Sequence, residues 1–228
     1  MTEAEWLAGH DPGQMFQFVV ATASQRRARL LGVGRCRRLW ELFEAPRSRL
    51  AIDVAEQLAD GAVSEAECRQ AQAGAEAALD DRREQDTIST SKEFILLSAP
   101  ENAAIAILDS DPKTAAGCGR GVAYCLDFFV NPLASKLLST HDSDEVCLLH
   151  CIFGNPFRPV TLGPPWRTST TVALAQQMYE SRDFSAMPIL ADALQDAGCE
   201  HLDILGHCRG AGVHVRGCWV VDLVLAKQ

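Results

Sequence analysis

Several common signatures are missing from this 228-residue chain, and each absence removes a class of function. The longest stretch without a charged side chain runs only from Pro12 to Gln25. That is short of the roughly 18–20 apolar residues that cross a bilayer, so no membrane association is expected. The opening MTEAEWLAGHDP carries Glu3, Glu5 and Asp11 and lacks the basic stretch and apolar core of a secretory signal, which predicts a cytoplasmic chain. There is no Gly-x-Ser-x-Gly elbow and no Gly-x-Gly-x-x-Gly after a strand, so hydrolase and dinucleotide-binding readings fail. Positive charge is scarce: 21 Lys and Arg face 30 Asp and Glu, for a net charge of -9. A nucleic-acid partner is therefore not expected, because that affinity comes from clustered cations that displace counterions. Aromatic residues make up only 7%, yet 47% hydrophobic and 22% charged residues are the proportions of an ordinary globular protein. The length suits one fair-sized domain or two small packed halves.

What is present in excess is cysteine. Nine thiols cannot all pair within one chain, and a cytoplasmic protein keeps most of them reduced and buried as small apolar groups. Cys36, Cys68, Cys118 and Cys125 are scattered, whereas Cys147, Cys151, Cys199, Cys208 and Cys218 gather toward the C-terminal end with His150, His201, His207 and His214.

The apolar pattern is helical. From Gln25 to Glu44, Ala28, Leu31, Val33, Cys36, Leu39, Trp40 and Phe43 fall on one arc at about 100° per residue, with Ser24 as N-cap and Pro46 as stop. Between Ser24 and Arg49 lie eight Arg and two Glu, a local charge of +6 in a chain whose remainder is -15. Arg26, Arg37 and Arg38 are thus candidates for docking an acidic partner, the plainer reading being a helix face that pairs with the protein's own carboxylates. A second helix is expected over Arg47–Asp60 on Leu50, Val54 and Leu58, closed by Gly61. A third spans Ser64–Asp86 and opens on the capping-box pair Ser64 and Glu67. Residues 87–140 give short apolar runs that periodicity does not assign, and Gly117-Cys118-Gly119-Arg120-Gly121 is at most a weak phosphate-loop pattern, without a Gly-Lys-Ser/Thr ending. Helices resume over Ser143–Phe153, Thr170–Glu180, Met187–Ala197 and His201–Cys208. Cys218–Leu225 reads as a helix, with a strand as the alternative.

Several blocks together resemble a large, lineage-restricted bacterial paralogous family. They are the MTEAEWL start, Cys36-Arg37-Arg38-Leu39-Trp40, FGNPFRPV at 153–160, PILADALQDAGC at 188–199, HCRG at 207–210 and HVRGCWVVDLVL at 214–225. They cover roughly the first 60 and last 80 residues. The resemblance implies no activity, substrate or catalytic residue, and by association with signalling and repeat modules it leans toward an interaction or regulatory role. Members often carry adjacent cysteines in the Arg-rich helix, where this chain has Arg35-Cys36, and residues 86–140 match no block.

Four sites carry candidate chemistry. His207, Cys208, His214 and Cys218 are N and S donors of the kind zinc takes in tetrahedral sites, although neighbours such as His207 and Cys208 point to different sides of a helix. Cys147, His150 and Cys151 share a helix face and would need a further ligand from elsewhere. Cys208 with His214 and Asp222 is a nominal thiol triad. Arg158, held between Pro156 and Pro159 and followed by Trp166, suits recognition by a stiff loop, unless Phe157 and Trp166 anchor the loop and Arg158 pairs with Asp192 or Asp196.

The resulting expectation is a mostly α protein of two packed helical halves in a bundle-like domain. It comprises residues 1–86 with the Arg-rich helix, a variable connection at 87–140, and residues 141–228 with the Pro-rich loop. The function expected first is a non-catalytic module that binds another protein through Arg26, Arg37, Arg38, Arg158 or Trp166, with no cofactor. The alternative is a structural zinc module, and a Cys-dependent enzyme comes third.

Overall fold

The computed structural model describes residues 1–85, 91–109, 111–117 and 141–227, and it is mostly α. Among the described residues there are twelve α-helices and no strand. In chain order they are α1 (Glu3–Ala8), α2 (Pro12–Val20), α3 (Gln25–Arg38), α4 (Pro46–Ala59), α5 (Glu65–Gln85), α6 (Ser91–Ala106) and α7 (Pro112–Gly117). Then come α8 (His141–Phe153), α9 (Ser169–Ser181), α10 (Met187–Asp196), α11 (Leu202–Arg209) and α12 (Trp219–Leu225). The Cys118–Gly121 part of the glycine-rich pattern lies outside the described residues.

The helices start where their side chains can satisfy the first free N–H groups. Ser24 accepts a hydrogen bond from the Arg27 N–H, Thr168 from that of Thr171, and Ser64 and Glu67 complete a reciprocal capping box. Helix α3 is shorter than the apolar arc predicts. It ends at Arg38, and a 3-10 turn at Trp40–Leu42 turns the chain so that Phe43 becomes fully buried. In α4 the interior face is Ala51, Ile52, Val54 and Ala55, with Leu58 packed against the same core, while Leu50 is 54% exposed, so Leu50 alone of the Leu50/Val54/Leu58 row leaves the packed side. The final segment is helical, which excludes the strand alternative.

The chain divides into two compact units whose borders differ from the expected ones. A central unit, Val20–Glu145, packs α3 through α7 around Val33, Phe43, Ile52, Ala71, Ala75 and Ile107. Residues 98–108 thus join the core of that unit instead of forming a separate connection. Two arginines of α3 are buried there. Arg29 donates to the carbonyls of Ile107 at 2.5 Å and Asp109 at 2.9 Å, and Arg35 donates to the Glu145 carboxylate and the Ala116 carbonyl. A planar guanidinium can serve two such targets at once.

The terminal unit joins Met1–Val19 to Val146–Gln228 around Met178, Leu190, Leu194, Ile204 and Val220. Met1–Val19 belongs here because fully buried Trp6 donates its indole N–H to the Gly154 carbonyl at 2.9 Å. Gly154 ends α8 in the left-handed region, at φ +61°, and a Cβ on it would stand 3.1 Å from the Trp219 ring. Gly154→Ala is expected to cost the terminal unit about 1–2 kcal/mol for the left-handed backbone alone, as read by chemical denaturation. Gly206→Ala, where an added Cβ meets nothing within 4 Å inside α11, is expected to be neutral or stabilising.

Candidate metal centre

Four donor side chains converge in the terminal unit: Cys151, His207, His214 and Cys218. Their ligand atoms all lie within 4.8 Å of one another. Cys151 is in the last turn of α8 and His207 in the last turn of α11. The chain then leaves α11 through Gly210 and Gly212, presents His214, and turns at Gly217, φ +92°, into Cys218, the N-cap residue of α12. The Cys218 N–H donates to Val215 O at 2.9 Å, and the Asp222 N–H to Cys218 O at 2.8 Å, so both sides of Cys218 are fixed.

The individual distances define a small polyhedron. His207 Nε2 is 3.2 Å from Cys218 Sγ, and His214 Nδ1 is 3.9 Å from both Cys218 Sγ and Cys151 Sγ. The two imidazoles meet edge to face at 4.8 Å between ring centres. A zinc ion with bonds of about 2.3 Å to sulfur and about 2.0–2.1 Å to nitrogen sets tetrahedral ligand atoms about 3.3–3.8 Å apart. The four donors are therefore close to the span such an ion requires. Both sulfurs are buried and both imidazoles half-buried.

The two thiols are electrostatically unequal. Burial works against a charged Cys218, but the hydrogen bond from Cys151 and the neighbouring His207 and His214 outweigh it and hold this thiol well below the ordinary cysteine value. Cys151 moves the other way, because burial and the adjacent Cys218 both disfavour a second negative charge. Of the two, Cys218 is the readier to ionise, and a cation placed among the four groups would stabilise both thiolates. Nε2 of His214, on the far side of the ring, is buried and has no hydrogen-bond partner among the described residues.

Three of the four expected ligands, His207, His214 and Cys218, are brought together, and Cys208 is not. Cys208 follows His207 on α11 and so points about 100° away around the helix, into the apolar core with Cys199 and Ile204. Burial pushes its thiol far up, and neighbouring Cys218 and Cys199 add to this, so Cys208 is poorly suited to act as the nucleophile of a triad. Cys151 replaces it as the fourth donor. The residues that share its helix face in sequence do not join it: His150 is engaged with its Nε2 3.0 Å from Trp6 O, and neither it nor Cys147 is among the donors. The signal for Cys151 lay in two incomplete clusters, each short of ligands, that complete one another.

The arginines expected to bind a partner are engaged within the protein. Arg26 pairs with Asp60 at 3.0 Å, Arg38 with Asp144 at 2.7 Å, and Arg37 with Asp53 and with Glu56 at 3.3 Å. Arg37 also lies over the Trp40 ring at 4.4 Å. Arg158 remains 65% exposed and pairs with Glu3 at 2.6 Å, not with Asp192 or Asp196. Phe157 stacks on Phe18, and half-buried Trp166 packs on the terminal core, so both aromatics of the Pro-rich loop anchor it. No family model, curated protein or solved structure matches the chain.

Proposed function

We propose that the terminal unit is a helical module built around a structural zinc ion held by Cys151, His207, His214 and Cys218. The observation that carries this reading is the convergence of two thiols and two imidazoles, from three separate segments, within 4.8 Å. Zinc is the favoured ion because a tetrahedral S₂N₂ donor set is characteristic of it, and all-oxygen cations such as calcium and magnesium are poorly served by sulfur. Four protein ligands close the coordination sphere and leave no position for substrate, so the metal's role is to cross-link helices. A non-enzymatic module agrees with this. Any docking of a partner would have to use surface other than the guanidinium groups of Arg26, Arg37 and Arg38, which the central unit's own carboxylates occupy.

Elemental analysis of protein purified under reducing conditions, without chelator, is expected to give close to one zinc per chain. Protein that contains no zinc, and takes up none after equilibrium dialysis against it, would exclude this reading.

A further inference from the structure

The segment Met1–Val19 makes a cluster of contacts with a short stretch that begins beside one metal ligand. Glu3 accepts from Asn155 Nδ2 at 2.7 Å and pairs with Arg158 at 2.6 Å. Trp6 makes two hydrogen bonds to this stretch, from its indole to Gly154 O at 2.9 Å and through its own carbonyl to His150 Nε2 at 3.0 Å. Phe18 stacks on Phe157 with ring centres 5.1 Å apart. All of these partners lie between His150 and Arg158, on either side of or just beyond Cys151. Gly154 also packs against Trp219, whose chain neighbour is Cys218 and whose ring centre is 5.3 Å from that of His207. Gly154 is thus clasped from one side by the arm's tryptophan and from the other by a tryptophan attached to the metal centre.

Resting on the zinc reading above, we propose that the centre controls this N-terminal arm: metal bound by Cys151 and Cys218 holds the α8 end and the α12 start together as a dock, and loss of metal releases Met1–Val19. The arm is suited to be an all-or-none element. Its helices have 6 and 9 residues, too short to persist in water without packing, so the arm is either docked and helical or released and unfolded. Two arrangements of this kind are what a ligand can shift, provided it stabilises one of them more than the other. By linkage the effect is reciprocal, and a docked arm tightens the hold on zinc by the same factor.

Hydrogen exchange with mass spectrometry on the full chain, zinc-loaded against zinc-free under reductant, tests this directly. Amides of α1 and α2 are expected to exchange at least about tenfold faster without zinc, while α9 and α10 keep their protection. Unchanged arm exchange in protein that demonstrably loses and regains stoichiometric zinc would overturn the proposal and leave the metal reading intact. Loss of protection throughout 146–226 would also overturn it, since metal would then be folding the whole unit. Failure to bind zinc at all would remove both. As the reciprocal measurement, Trp6→Phe is expected to weaken zinc binding about 5- to 10-fold. Leu7→Ala, at a residue 58% exposed on the same helix, should leave affinity unchanged. Equal affinities for wild type and Trp6→Phe would contradict the coupling.

Discussion

Cys218→Ser is expected to abolish stoichiometric zinc binding and, with it, the stability that zinc adds. A ligand present at about 1,000 times its dissociation constant stabilises the folded state by about 4 kcal/mol. The wild-type chain should show a thermal shift of that order between chelated and zinc-saturated samples. In Cys218→Ser the shift should fall below about 1 kcal/mol, because the thiol it removes is the one already inclined to ionise among His207, His214 and Cys151. The informative comparison is Cys208→Ala. That residue is fully buried and its loss costs packing, so the chelated variant starts less stable, but the increment on adding zinc should be retained. Were Cys208 the ligand and Cys151 a bystander, the zinc increment would vanish in Cys208→Ala and survive in Cys151→Ala.

The second large effect is expected in the central unit. Arg35 and Glu145 are each 3% exposed at the side chain, and the guanidinium meets both carboxylate oxygens while also holding the Ala116 carbonyl. Removing one partner of such a buried pair strands a charge and costs about 3–5 kcal/mol. Glu145→Met and Arg35→Met should each lower stability by that much in urea denaturation. The double variant, with both positions Met, should recover most of the loss, because the desolvation cost disappears together with the attraction. If the double variant were as unstable as the sum of the singles, the pair would be acting through the Ala116 contact and not through charge.

The helices were legible where a cap and a periodic face coincided. Ser24, and Ser64 with Glu67, mark starts by the hydrogen bonds they make, and the structure uses each as the sequence implies. What local pattern misjudged depended on neighbours distant in sequence. Leu50 follows the apolar row yet lies outside, and Arg29 and Arg35 belong to a charged helix yet lie inside, because carbonyls at Ile107, Asp109 and Ala116 await them far along the chain. The candidate metal centre divides in the same manner. His207, His214 and Cys218 could be read together because they sit within one turn-and-helix segment. Cys208 was drawn in by adjacency, although the step of about 100° between consecutive helical residues already argued against it. Cys151 could not be assigned to them from spacing, since only the packing of α8 in the terminal unit places it there.

That distance along the chain gives the centre a particular role in the polymer. His207 and Cys218 stand 11 positions apart, whereas Cys151 and His214 stand 63 apart. By the chain-entropy estimate used for cross-links, closing loops of these lengths costs the chain about 3 and about 4 kcal/mol respectively. A finger whose ligands are all local can assemble around its ion before anything else folds. Here the larger closure is the one Cys151 requires, and it is available only after two remote segments have met, so capture of zinc by the proposed centre would come late, once the helices that carry its ligands have packed.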